Sequence, residues 1–551
     1  MKNKTWYYYG SGMDAFGDEG KPIDSELIAL EADEVLARVD AVAVCASDIK
    51  MINMGNDYPL FKNRDFQKEP AVLGHELSLT IMEVGEHLKN QWKIGTRIGV
   101  QPDVYMDHVR YCIGVNVHGG MQKYMVLSKS VFYSDQGITV FPVDDILSFA
   151  SVAQLEPNAC VEAAYRVFTR QSFEKDKCLF LYIDEQVNGE YIFDIDISHR
   201  ECYVCGAIDK LNIPLTNYHE VSSIQEGISL CKDGFEDVLM IGNPKEEIIA
   251  EIIEGLANDA VFCWMMQTPE KGYISCDIAK IHYSKINFLG CATRKLSDAF
   301  DIKKQRYELR PHGSMLIMGG AGAMGRMHTL RALLDEHGPN NIVVTARGTS
   351  RLQVLIEDFK DIAIQNKKHL VGISTESEKW KTEIGQYAPQ GFDDIVVSAP
   401  GIDPVEKAVP YLKEDGMLVL FSGTKYGSYA KLPIGMVASN QARINASSGS
   451  TVQDEKAVLH KIMNHQLNPD KNVVGIAGFH AIKDALLAVH KGLFAGKVIL
   501  YPQLDNLPLT SMKEIQESKT ALGNYVTLHG WDREAEKVLY QTYLKEDRVH
   551  E

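Results

Sequence analysis

The 551-residue chain contains no apolar run near the roughly 18 residues that a membrane-crossing helix requires, so no such helix is expected. Its opening, MKNKTWYYYGSGMDAFGDEG, lacks the apolar stretch of a secretory signal, which predicts a cytoplasmic protein. Positive charge is in short supply. The 57 Lys and Arg against 74 Asp and Glu leave a net charge of −17, which argues against nucleic acid or an anionic membrane as the main partner. An anionic small substrate stays compatible, because a local cluster of Lys and Arg can oppose the global sign. The ten cysteines do not have the spacing of a disulfide framework, so reduced thiols are expected. Clustered cysteines are missing too. Cys112 stands alone where a structural zinc would need four, and Cys202-Tyr-Val-Cys205 has no second pair at zinc-finger spacing and reads as two strand thiols.

What is present is an ordinary globular composition, 45% hydrophobic and 24% charged, in a chain long enough for two to four domains. Residues 1 to about 165 read as mostly β. Strand patterns occur at Glu34–Val44, in LSLTIMEVG, in TRIGVQPD and in GGMQKYMVLSKS, followed by helical spacing over Ile146–Arg170 that Pro157 is expected to divide. The region of about 170–305 has strand-like runs, CLFLYI and EVSSIQEGISLCKDGFEDVLMIG, then a helix KEEIIAEIIEGLAND and a strand AVFCWMM. From 306 to about 455 strands and helices alternate, which implies a parallel sheet, and 456–551 returns to mixed signals with an amphipathic end. There is also an internal repeat. Gly234–Met265 lines up with Gly391–Ser422, each opening Gly-Phe-acid-Asp, and the match continues with IHYSKINFLGCATRKLSDA against SNQARINASSGSTVQDEKA.

Two constellations carry chemistry. In LIMGGAGAMGRM, Gly320, Gly322 and Gly325 form G-x-G-x-x-G between a predicted strand and a predicted helix. There glycine permits the turn and lets a pyrophosphate approach the amides of Gly322, Ala323, Met324 and Gly325. The strand that follows ends Val344-Thr345-Ala346-Arg347-Gly348-Thr349-Ser350-Arg351. It lacks the acid that binds a ribose 2′-hydroxyl, and Arg347 with Arg351 suits a 2′-phosphate, so NADP is favoured over NAD. The second set is Cys45, His75, Glu76 and Glu156, a mixed S/N/O group of the kind that holds one catalytic zinc. Ser47 stands two residues past Cys45, where its hydroxyl can pass a proton from a bound alcohol to solvent. Glu76 has an alternative as a carboxylate supporting a ligand from behind, and Glu156 as a helix-capping carboxylate. His118 reads as a loop histidine, His282-Tyr283 as core or turn, and Tyr58, Lys62 and Arg64 as loop residues bordering a pocket.

These motifs together resemble the medium-chain dehydrogenase/reductase superfamily of zinc-dependent alcohol and polyol dehydrogenases. The resemblance is carried by CASD, GHE with EVGE and KIGTRI, GGMQKY, LEPNAC, GGAGAMG and AGKVILYP. Within it GHELSLTIMEVG, EPNAC and GWDREAE look most like the L-sorbose-1-phosphate reductase and sorbitol dehydrogenase branch. The resemblance implies an α/β protein with a GroES-like β-rich catalytic domain (1–165, completed by 456–551) and a Rossmann doubly wound parallel sheet (306–455) that includes Gly423 in its cofactor site. The 170–305 stretch is extra, and reads as an inserted, degenerate second Rossmann-like half. The implied activity is hydride transfer between NAD(P)(H) and a polyol or sugar (phosphate) by a homo-oligomer, dimer or tetramer. Cys45, His75 and Glu156 would be zinc ligands, Glu76 a ligand or exchange partner, and Ser47 the relay. The alternative is a lyase or epimerase that oxidises its substrate transiently under a cap formed by the insert.

Overall fold

The computed structural model describes residues 2–27, 29–166 and 172–549. It divides into two compact units, one built from residues 1–161 and 449–551, the other from 162–448.

In the first unit the long strands Val35–Ala43 and Glu76–Val84 pair antiparallel at the middle of an eight-stranded sheet. Alternation sets which face each residue joins, and an irregularity between Val39 and Ala41, where Val39 pairs with Leu79 and Ala41 with Ser78, switches the faces partway along. Val35, Ala37, Val39, Leu77, Leu79 and Ile81 join one core with Trp6, Phe61 and Val498, while Ala41 and Ala43 join a second with Phe149, Tyr501, Trp531 and Leu539. The helical stretch expected over Ile146–Arg170 is two helices, Phe149–Ala153 and Leu155–Ala163, and its end from Val167 lies outside the described residues. Pro157 does not divide them. It sits in the first turn of the second helix, where its missing N–H costs nothing, and the break falls at Gln154. The C-terminal helix Arg533–Val549 ties this region together. Glu536, fully buried, accepts the exposed-end N–H groups of Phe149 (2.6 Å) and Ala150 (2.8 Å) and the Tyr501 hydroxyl (2.9 Å).

Beside it, Asp470 takes a hydrogen bond from the Ser148 hydroxyl at 2.6 Å. Burial pushes its carboxyl up to about 7, with Ser148 opposing and Glu536 reinforcing the shift. The folded value lies above the unfolded one, so the stabilising contribution of this group is complete below about pH 4 and is lost as pH rises through about 7. Asp470→Asn should therefore flatten the decline of stability between pH 5 and 8. Its gain over wild type at pH 8 is at most about 4 kcal/mol, read from urea unfolding across that range. A decline as steep as wild type's would refute the assignment.

The second unit holds two six-stranded parallel sheets of identical strand order. One runs His219–Glu220, Glu201–Gly206, Cys178–Ile183, Phe235–Ile241, Leu256–Met265, Asn287–Cys291. The other runs His369–Ser374, Asn341–Ala346, Ser314–Met318, Phe392–Val397, Leu412–Leu420, Arg443–Ala446. Each doubly wound half carries an irregularity at the same place, between Phe235 and Asp237 and between Phe392 and Asp394. The halves differ where the first has no helix between its first two strands. A loop through Val187, Tyr191 and Ile197 fills that place, and no glycine-rich turn accompanies it. One hydrophobic core runs through both, from Phe180, Trp264 and Ile281 to Leu316, Leu432 and Met436.

Two expectations change in detail. The strand-like run before Phe235 contains a helix, Ile224–Leu230, because Ser223 caps it by accepting the Glu226 N–H at 3.1 Å. The continuation of the repeat is out of register by two residues. The shared Ile-Asn pairs (Ile286-Asn287, Ile444-Asn445) suggested the match. The backbone instead equates Lys285 with Gln441, the left-handed residues that end helices Ile278–Ser284 and Ile434–Asn440.

Candidate functional site

Strand register builds a corner in the first unit. Ala43 pairs with Glu76 on one side and with Ile499 on the other. Cys45, just past the end of its strand, therefore stands beside His75, just before the start of its own, and level with Lys497. Cys45 also opens helix Ala46–Met54, where its N–H donates to Asp48 Oδ2 at 3.0 Å in a capping box. The Sγ of Cys45, a ring nitrogen of His75 and a carboxylate oxygen of Glu76 all lie within 4.8 Å of one another. Ser47 Oγ is 3.3 Å from His75 Nε2.

Asp48 organises this corner. Buried completely, it accepts the Gly74 N–H at 3.3 Å and lies 3.5 Å from His75 Nδ1, a buried nitrogen that makes no hydrogen bond. Burial alone would lower the imidazole's pKa, but Cys45 and Asp48 hold it well above the usual histidine range. A thiol, an imidazole and a carboxylate whose ligand atoms lie within 4.8 Å of one another, with Asp48 facing the imidazole, form a donor set that suits a zinc ion. Glu76 is engaged already. Lys497 Nζ lies 2.5 and 2.7 Å from its two oxygens, with the lysine 2% and the glutamate 0% exposed. Burial would strip the proton from Lys497, yet Glu76 and Cys45 keep it an ammonium. Glu156, on Leu155–Ala163, accepts the Cys160 thiol at 3.2 Å. It bears electrostatically on both Glu76 and Lys497 but stands outside the three-residue group.

Of the loop residues expected near a pocket, Tyr58 has its hydroxyl pKa pushed up by burial, and its ring stands 5.5 Å from that of Phe61. Arg64 has another task, bracing its loop through the carbonyls of Glu69 (2.7 Å), Pro70 (3.2 Å) and Val115 (3.3 Å). Cys202 and Cys205 are buried strand residues of Glu201–Gly206.

In the second unit the three glycines of the loop have three separate reasons. A Cβ on Gly320 would lie 2.2 Å from Val344 Cγ1, and one on Gly325 would lie 2.4 Å from Gly320 Cα, so strand and helix pack too closely for side chains. A Cβ on Gly322 would meet nothing nearer than 3.6 Å, so its absence leaves room above the chain. Gly322 begins helix Ala323–Leu334 without any side-chain cap, which leaves the first-turn amides of Ala323, Met324 and Gly325 directed outward. Arg347 and Arg351 are exposed at the start of helix Thr349–Gln365. Gly423 follows strand Leu412–Leu420, and a Cβ there would strike the Tyr283 hydroxyl at 2.5 Å.

Sequence reasoning missed Lys497 and Asp48. Both stood in quoted motifs, AGKVILYP and CASD, but their roles come from cross-strand register that no single segment reveals.

The alcohol dehydrogenase GroES-like domain model matches residues 31–134, the stretch that contains Cys45, His75 and Glu76. The L-sorbose 1-phosphate reductase of Klebsiella pneumoniae is 25% identical over 293 residues, covering 52% of this chain and 67% of that protein. The mannitol-1-phosphate 5-dehydrogenase of Aliivibrio fischeri (strain ATCC 700601 / ES114) is 22% identical over 358 residues, 58% and 82% respectively. A protein of Sinorhizobium meliloti 1021, described as a zinc-binding dehydrogenase and solved bound to NADP, shares the fold. Its TM-score is 0.50 at 11% identity, covering 91% of this chain and 100% of that one. Among the described residues no helix is long and apolar enough to cross a membrane. The matched domain, the relatives and the shared fold together support a place in the medium-chain dehydrogenase/reductase superfamily and an oxidoreductase function.

Proposed function

We propose that the chain transfers hydride between NADP(H) and a polyol or a ketose, with sugar phosphates as the favoured substrates. The observation that carries this reading is the corner where Cys45 and His75 meet at adjacent strand ends with Ser47 in reach. The sugar-phosphate preference draws on the first two relatives, whose names specify a sorbose phosphate and a mannitol phosphate.

Cys45 and His75 would hold the zinc, with Glu76 or Glu156 completing the set. Zinc in this position supplies a Lewis acid that polarises a carbonyl oxygen or lowers the pKa of an alcohol. The chain's own residues do the rest. Asp48 holds the imidazole in place. The Lys497 ammonium compensates Glu76, so that a buried carboxylate is available without being stranded. Ser47 moves the proton between the substrate oxygen and solvent. The amides of Ala323, Met324 and Gly325 receive the pyrophosphate, and Arg347 with Arg351 takes the 2′-phosphate.

The test is a screen of free and phosphorylated ketoses with NADPH on zinc-loaded protein. Oxidation of NADPH by a phosphorylated ketose, at higher kcat/KM than by the free sugar, supports the reading. No net change in nicotinamide absorbance with any ketose or polyol would overturn it. The cofactor preference has its own variant. Arg347→Asp should weaken NADPH by about 1.5–3 kcal/mol, roughly 10- to 150-fold in Kd, and leave NADH unchanged. Unaltered NADPH affinity in a fluorescence titration would remove Arg347 from the site.

A further inference from the structure

The extra half-sheet is related to the glycine-loop half by more than sequence. Strands Tyr273–Asp277 and Tyr429–Pro433 occupy the same place in the two copies, and they pair with each other antiparallel. Tyr273 pairs with Pro433 and Asp277 with Tyr429; because Tyr273 is equivalent to Tyr429 and Asp277 to Pro433, exchanging the two copies turns one pair into the other, and Ser275 with Lys431 marks the centre. Such reciprocity is the signature of an isologous interface between two copies of one fold. The rest of the interface follows the same rule. Helix Ile434–Asn440 packs on strand Asn287–Cys291, and helix Ile278–Ser284 on strand Arg443–Ala446. The backbones approach closely, since a Cβ on Gly435 would come within 2.7 Å of Gly272 Cα, and one on Gly290 within 2.6 Å of Ala438 Cβ.

The two sides of this interface are not chemically equal. Where the insert carries His282 and Tyr283, the glycine-loop half carries Ala438 and Ser439 at the equivalent positions. Ser439 donates to the Gly435 carbonyl of its own helix (2.9 Å) and to the Glu270 carbonyl (3.0 Å) in the insert's own loop, where no glycine-rich turn exists. His282 and Tyr283 face the loop Ser422–Ser428 of the other half. His282 Nδ1 lies 3.1 Å from the Leu420 carbonyl, the Tyr283 hydroxyl fits against Gly423, and the Tyr283 and Tyr426 rings stand 5.5 Å apart. Asp277 Oδ2 accepts the Gly427 N–H at 2.9 Å, and the Ser428 carbonyl accepts the Ile278 N–H at 3.0 Å.

That loop borders the cofactor crevice. Met318, Val397 and Leu420 are aligned across three parallel strands, so the glycine-rich turn and Ser422–Ser428 leave the same edge of the sheet two strands apart, about 10 Å. Ligands of open parallel sheets bind at that carboxyl edge. Phe421, at the loop's base, packs against His328 of the glycine-loop helix with rings 4.6 Å apart.

We propose that the insert serves as a built-in second copy whose Asp277, His282 and Tyr283 hold the loop Ser422–Ser428 in its cofactor-binding position. They are positioning residues for the nicotinamide nucleotide, and the inference rests on the function proposed above. The insert also covers the sheet edge at Arg443–Ala446, where strand Asn287–Cys291 and helix Ile278–Ser284 pack against it.

The test uses the full chain with Tyr283→Ala, Tyr283→Phe and, as a control on the insert's exposed surface, Tyr218→Ala. Tyr283→Ala should raise the Kd for NADPH about fivefold or more, the cost of ordering a released loop on binding. Tyr283→Phe keeps the ring against Tyr426 and should recover most of that loss, while Tyr218→Ala should bind as wild type. Without nucleotide, amide exchange in 422–428 should quicken in Tyr283→Ala and stay unchanged in 319–325. A Kd within twofold of wild type together with unaltered exchange in 422–428 overturns the inference alone. A wild-type chain that binds no nicotinamide nucleotide overturns the functional reading and the role assigned to the loop together.

Discussion

Cys45→Ser should abolish zinc binding and lower kcat/KM by on the order of 10³-fold while leaving the fold intact. The size follows from losing about 4 kcal/mol of Lewis-acid stabilisation of the developing oxyanion. The fold should survive because Cys45 caps helix Ala46–Met54, with its N–H on Asp48, and serine is among the best residues for that position. A loss of metal is thereby separated from a loss of structure. The measurement is zinc per chain by elemental analysis, beside circular dichroism and turnover. Full activity in metal-free Cys45→Ser protein would end the zinc reading.

Lys497→Met should be the most damaging substitution outside the metal ligands. It leaves the fully buried Glu76 carboxylate with its ammonium partner gone, and breaking a buried pair from one side costs about 3–5 kcal/mol. Adding Glu76→Gln should restore much of the stability, since the stranded charge is then removed, so the double variant should be far less destabilised than the sum of the singles. Burial and the Glu156 charge raise the Glu76 carboxyl, and without Lys497 the main influence opposing them is gone, leaving His75. The deficit of Lys497→Met should therefore be smallest at low pH, where Glu76 is protonated in both folded and unfolded chains, and should grow as pH rises. Urea unfolding at pH 5 and pH 8 reads both effects. A deficit independent of pH, or strictly additive singles, would show that the two side chains do not act as a pair.

What the chain revealed in one dimension was local. The glycine-rich loop was legible because strand, turn and helix adjoin in sequence, and each glycine answers to a neighbour within about thirty residues. The alternating strands and the amphipathic C-terminal helix were legible through their periods. The repeat was legible too, though its continuation slipped by two residues because a shared dipeptide outweighed the unseen left-handed residues at Lys285 and Gln441. Cys45 and His75 were legible as ligand types, but thirty residues part them and only the pairing of Ala43 with Glu76 makes them neighbours.

The sequence by itself determined the glycine turn with its helix, the doubled half-sheet and the residue types able to hold zinc. Only the tertiary structure decided how those residues are engaged. It set Lys497 on Glu76 across 421 residues and His282 on Leu420 across 138. It also turned an apparently idle insert into one side of an isologous interface. The physical reason is the same in each case. Periodicity and turn chemistry act over a few residues, whereas strand register and sheet-edge packing are fixed by which surfaces bury one another, and that choice is made only when the whole chain has folded.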